Sequence, residues 1–163
     1  MIARQIEVPQ DALLHLYVVQ EGAYTDCFEV MLPVSATMEE FVGAFYTTWL
    51  FRLERLVLSV ARRRRITDAQ VYALASGDAD GFAVWRVEAR APGQLLLADE
   101  SGHTRSYLAF VGKEGGVARL IFGSAVVPRE GQSMPAWVRA TIPLHKFYSK
   151  ALLRLAERRL RRG

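Results

Sequence analysis

The chain has 163 residues, 51% of them hydrophobic and 23% charged. That length fits one domain with a sizeable core, and the composition excludes a disordered or low-complexity chain. The formal net charge of +4 conceals a split: residues 52–65 carry six arginines against Glu54, residues 146–163 carry seven basic residues against Glu157, and the remainder is net −7.

A single cysteine, Cys27, excludes an internal disulfide framework and fits a reducing compartment. The start, Met1 to Pro9, lacks the basic-then-apolar layout of a signal peptide. The apolar stretches are interrupted well short of the roughly 20 residues needed to span a bilayer. A soluble cytoplasmic protein is therefore expected. Residues 1–163 are read as one domain, with about 1–20 as an N-terminal extension holding a short helix over Asp11–Tyr17.

Tyr24 to Leu32 alternates as a strand, with Tyr24, Asp26, Phe28, Val30 and Leu32 on one side, and Pro33 stops it. Thr37-Met38-Glu39-Glu40 is a capping-box pattern opening a long helical stretch. Phe41, Phe45, Trp49, Leu53, Leu56, Val57 and Val60 recur through it at helical spacing, and Arg62 to Arg65 close it. A second box, Thr67-Asp68-Ala69-Gln70, opens a short helix that Gly77 ends.

The period then changes. Phe82–Ala91, Leu95–Ala98, Thr104–Val111 and Val117–Val127 read as strands joined by short turns, the first of them Pro92-Gly93. Turns this short forbid parallel crossovers, so residues 82–127 form an antiparallel meander. On the first strand Ala83, Trp85, Val87 and Ala89 share a face. After the loop 128–135 come a helical piece at Ala136–Ala140 and a helix over Leu144–Arg161, with Pro143 suited to its first turn. Leu144, Phe147, Tyr148, Ala151, Leu152 and Leu155 form its apolar stripe.

The expected fold is thus α+β: an antiparallel sheet covered by a long C-terminal amphipathic helix, with a helix pair after the first strand. The stretches Phe41–Trp49, Trp85–Ala89 and His145–Leu153 resemble a bacterial family of the helix-grip superfamily, the START-like, polyketide-cyclase-like (SRPBCC) proteins. The likeness extends over most of the chain from about Tyr24. It implies a curved sheet wrapped around the C-terminal helix and an apolar cavity between them. One departure stands out: the superfamily usually has six strands after the helix pair, and four are evident here. Either the long stretches hide bends or the sheet is smaller. Cystatin-like and nuclear-transport-factor-like domains share the general plan.

No catalytic motif is present. His15, His103 and His145 are far apart and lack neighbours at zinc-site spacing, and Gly-x-Ser-x-Gly is absent. No metal, no cofactor and no identified catalytic residue are expected. The strand around Tyr107 has two faces: Arg105, Tyr107 and Ala109 on one, Ser106, Leu108 and Phe110 on the other. Patterning favours the Leu108 set inward. With the Tyr107 set inward, Arg105 would be a buried cation needing Glu88 or Asp99 as partner.

The leading expectation is binding of a small apolar molecule between sheet and C-terminal helix. The resemblance and the aromatic inventory together suggest Tyr46, Trp49, Trp85, Tyr107 and Tyr148 as lining, with Glu88 or Arg105 as the polar contact. Phe45, Phe147 and Trp137 belong to the same inventory. A cofactor-free cyclase- or hydrolase-like activity in that pocket is the first alternative. Docking of the basic helix ends on a polyanion or a peripheral membrane surface is the second. Nucleic acid is disfavoured, because the arginine run has no interleaved aromatics.

Overall fold

The computed structural model describes residues 2–63, 65–112, 116–129 and 132–163, without the side chains of residues 57–62 and of Trp137. Arg64 and the side chains of Val57, Val60 and Arg62 therefore lie outside the described residues, as does the side chain of Trp137, a lining candidate.

The elements are β1 (Arg4–Gln5), a 3-10 turn (Leu13–Tyr17), β2 (Tyr24–Leu32), α1 (Met38–Tyr46), α2 (Trp49–Arg62), α3 (Asp68–Ser76), β3 (Gly81–Phe82), β4 (Trp85–Ala91), β5 (Gln94–Asp99), β6 (Thr104–Gly112), β7 (Ala118–Val126) and α4 (Ala136–Leu160). All sheet pairs are antiparallel, in the order β1-β2-β7-β6-β5-β4-β3. The sheet grips α4, which packs on β2, β7 and α1. This is the helix-grip arrangement, with five strands rather than four or six after the helices. The extra strand comes from a tight turn at Ala83, whose φ of 54° separates β3 from β4.

Both capping boxes form as expected, at Thr37 and Thr67, and Gly77 caps α3 in the left-handed region. Three expectations are corrected. The long helix breaks into α1 and α2 at Thr47-Thr48. There the Thr47 hydroxyl donates to the Gly43 carbonyl (2.6 Å) and the Thr48 hydroxyl to that of Phe45 (3.0 Å), while the Thr48 oxygen accepts from the Phe51 amide (3.3 Å). Local side-chain bonds end one helix and start another. The C-terminal helix is continuous through Pro143. In β4 a register shift between Val87 and Ala89 moves Ala89 off the face of Trp85 and Val87.

The sheet is buried on both faces. Phe28, Val30, Leu108, Leu120 and Phe122 meet α1 and α4, in a core with a cluster of aromatic rings at Phe45, Tyr46, Phe51 and Phe82. The opposite face, with Leu96, Tyr107, Ala109 and Ile121, is covered by the N-terminal segment through Ala12, Leu14 and Tyr17. No described helix is long and apolar enough to cross a membrane.

Candidate functional site

Three residues expected to line the ligand site lie on the outer face of the sheet instead. Arg105 Nε lies 2.5 Å from Glu88 Oε2 and donates to the Tyr17 hydroxyl at 2.8 Å; that hydroxyl in turn donates to Glu88. Tyr107 donates to Gln94 Oε1 (2.8 Å), which also accepts from the Leu13 amide (2.9 Å). Glu88, Arg105 and Tyr107 thus clamp the N-terminal segment, and strand parity is the reason: Leu108, not Tyr107, faces α1 and α4.

The other four lie on the helix side but do not converge. Tyr46 is fully buried and shares a 2.7 Å hydrogen bond with Ser106. Trp85 packs against the aromatic core from its edge. Trp49 is 65% exposed on α2. Tyr148 donates to Glu54, whose carboxyl burial pushes above the usual range, an effect only partly offset by that hydrogen bond.

A cleft of about 550 Å³ opens elsewhere: between the ends of β6 and β7, the loop that comes after β7, and the first half of α4. Its walls are mainly apolar, from Val126, Pro128, Met134, Val138 and Ile142. The described polar groups on it include Tyr24, His103 and His145.

Beneath His145 lies a polar row that strand register builds. Asp26, Ser124 and Ser106 stand opposite one another on β2, β7 and β6, all on the helix side of the sheet. Ser124 Oγ donates to Asp26 Oδ1 (2.6 Å) and lies 2.8 Å from His145 Nε2. The hydroxyl has one proton and gives it to the carboxylate, so Nε2 is the donor toward Ser124. His145 Nε2 is 3.5 Å from Asp26 Oδ2, and the Tyr24 hydroxyl donates to the same oxygen at 3.0 Å. Burial pushes the Asp26 carboxyl up, but the hydrogen bonds from His145 and Ser124 outweigh it and hold the group below its ordinary value. Burial and the neighbouring Asp26 charge push the Tyr24 hydroxyl up.

The arrangement therefore holds an imidazole on the cleft wall against a buried, ionised carboxylate. Ser124 is not a primed nucleophile, because its proton points away from the imidazole. Among the described residues, no three His, Cys, Asp or Glu side chains converge as metal ligands. Tyr24, Asp26, Ser124 and His145 were not among the expected site residues. The signal for two of them is a polar residue at core parity: Asp26 in step with Phe28 and Val30, Ser124 in step with Phe122 and Leu120.

No family model matches the chain, and no curated protein matches it in sequence. Six chains of solved structures match it in shape. One is the crystal structure of Ara h 8.0201, which covers 87% of this chain and 100% of its own, at 10% identity and a TM-score of 0.43. A likeness at that level adds nothing to the reading of the cleft.

Proposed function

We propose that the chain binds a small, largely apolar molecule carrying one polar group in the cleft between the ends of β6 and β7 and α4. The observation that carries this reading is the cleft itself. Its volume of about 550 Å³ falls in the range of roughly 300–1,000 Å³ usual for small-molecule sites, and its walls are apolar with few polar groups. His145, oriented by Asp26 and Ser124, is the polar contact, in place of Glu88 or Arg105. The molecule would lie at the mouth of the sheet–helix interface, not in its packed centre.

The test pairs native mass spectrometry of the protein from its own source with titration of anilinonaphthalene sulfonate. Ile142→Trp fills the cleft and should weaken probe binding about tenfold, the loss expected when a buried apolar contact of about 1.4 kcal/mol is removed. Val19→Ser, at an exposed position outside the cleft, should leave it unchanged. Probe binding indifferent to Ile142→Trp would overturn the proposal.

The His145–Asp26 contact favours a second reading, proton transfer on the bound molecule. A carboxylate-oriented imidazole facing an apolar cleft is equipped for general acid–base work. On this reading His145→Gln abolishes conversion of the co-purifying molecule, while the amide keeps a polar contact and binding weakens only modestly. A molecule recovered unchanged after long incubation with the wild-type chain leaves binding without chemistry.

A further inference from the structure

We propose that the joint outer face of α2 and α4 docks on an anionic lipid bilayer. Five large apolar side chains stand in solvent there: Trp49 (65% exposed), Leu53 (53%) and Leu56 (60%) on α2, Leu144 (70%) and Phe147 (73%) on α4. The spacing 49, 53, 56 puts the α2 residues on one helical face, opposite the buried Phe51 and Arg55. The two helices touch alongside this face, through Leu50 and Glu54 of α2. The Tyr148 hydroxyl donates to Glu54, and Leu50 of α2 shares a groove of about 480 Å³ with Leu144, Phe147 and Ala151 of α4. Five large exposed apolar side chains on two adjoining helices are unusual for a chain that needs no partner there.

Charge decides the occupant. Residues 49–65 and 136–162 hold fourteen of the twenty-one basic residues and only two of the seventeen acidic ones, Glu54 and Glu157. Both acids are turned inward: Glu54 accepts from Tyr148, and Glu157 is buried and paired with Arg161 at 3.4 Å. The rest of the chain holds seven basic and fifteen acidic residues. Arg52 and Arg55 are paired with Asp68. Arg63, Arg65, Arg139, Arg158 and Arg162 are exposed and make no ion pair among the described residues. Arg154 and Arg158 follow Phe147 at seven and eleven residues, on the same helical face.

A second copy of the chain would set two strongly positive faces against each other. Nucleic acid would have no use for Leu53, Leu56 and Leu144, and among the described side chains of this face only Trp49 and Phe147 offer rings for stacking. A bilayer rich in anionic lipid uses both features: apolar side chains enter the headgroup–acyl boundary and guanidinium groups meet lipid phosphates. This inference is independent of whether the cleft holds a ligand.

The test is co-sedimentation of the full chain with vesicles of phosphatidylcholine alone and of phosphatidylcholine mixed with phosphatidylglycerol, at low and high salt. Binding is expected to the mixed vesicles only and to weaken with salt. The double variant Leu53→Ser/Phe147→Ser is expected to lose at least about tenfold in binding, as is Arg154→Ser/Arg158→Ser. All four residues except Arg154 are exposed, so thermal midpoints should match the wild type, which separates lost docking from lost folding. Equal binding to neutral vesicles, binding unaffected by Leu53→Ser/Phe147→Ser, or no binding at all would overturn the proposal. So would a wild-type dimer, seen by light scattering, that the same serine variant disperses.

Discussion

Two carboxylates near the cleft are tuned in opposite directions, and the difference can be read as stability. Asp26 is held below its ordinary value because His145 and Ser124 bond its charged form more strongly than burial opposes it. A depressed folded value contributes stability that is complete above the unfolded value, about 3.9 for aspartate, and is lost as pH falls through the folded one. Asp26→Asn is therefore expected to lower the thermal midpoint at neutral pH. The gap to wild type should close as the solution is made strongly acidic, and a gap independent of pH would refute the assignment. Glu54 is pushed up by burial, against the Tyr148 hydrogen bond and the His145 charge. For a raised carboxyl the sign reverses: stability falls as pH rises from the unfolded value through the folded one. Glu54→Gln keeps an acceptor for Tyr148 and removes the buried charge. It should raise the midpoint at neutral pH and leave it unchanged in acid.

At the scale of elements, what the sequence disclosed and what it hid have physical reasons. Capping boxes at Thr37 and Thr67 are local devices, readable from four residues, and both form. The break at Thr47-Thr48 is hidden because one apolar period runs unbroken across it. Phe41 and Phe45 are buried on α1, yet Trp49, Leu53 and Leu56 continue the same spacing into solvent on α2. Periodicity reports a common face and is silent on whether that face meets core, water or a partner. The expected site residues miss the cleft for a related reason: Trp49, Tyr107 and Tyr148 share only an aromatic ring, whereas Asp26, Ser124 and Ser106 share a register across three strands. If Thr48 starts α2, Thr48→Ala should destabilise the chain by about 1 kcal/mol, the usual worth of an N-cap hydroxyl. Chemical denaturation measures this, and no change would place the helix start elsewhere.

For the molecule as a whole, the decisive feature is that its sheet has two covers. The run Leu95-Leu96-Leu97 is buried throughout, and consecutive apolar residues in a strand mean burial on both faces. The sequence therefore carried a sign of a second cover, but not which segment supplies it. That segment is the N-terminal one. It is held by the Arg4–Glu29 contact, by Gln94 bonding the Leu13 amide, and by Tyr17 against Arg105 and Glu88. Within it Leu14 is completely buried against Gly123 of β7; a Cβ at residue 123 would stand 2.6 Å from Leu14 Cδ2. Gly123→Ala should thus cost about 1–3 kcal/mol, the range for overpacking. Leu14→Ala should cost about 2–5 kcal/mol through the cavity it leaves. In the double variant the added methyl enters the space that Leu14 vacates, and the combined loss should fall short of the sum by about 0.5–3 kcal/mol, the coupling usual for residues in contact. The neighbouring Asp26 carbonyl, at 3.1 Å from the same Cβ, limits that relief. Additive losses in a urea-unfolding cycle would mean that the N-terminal segment does not lie on Gly123 in solution.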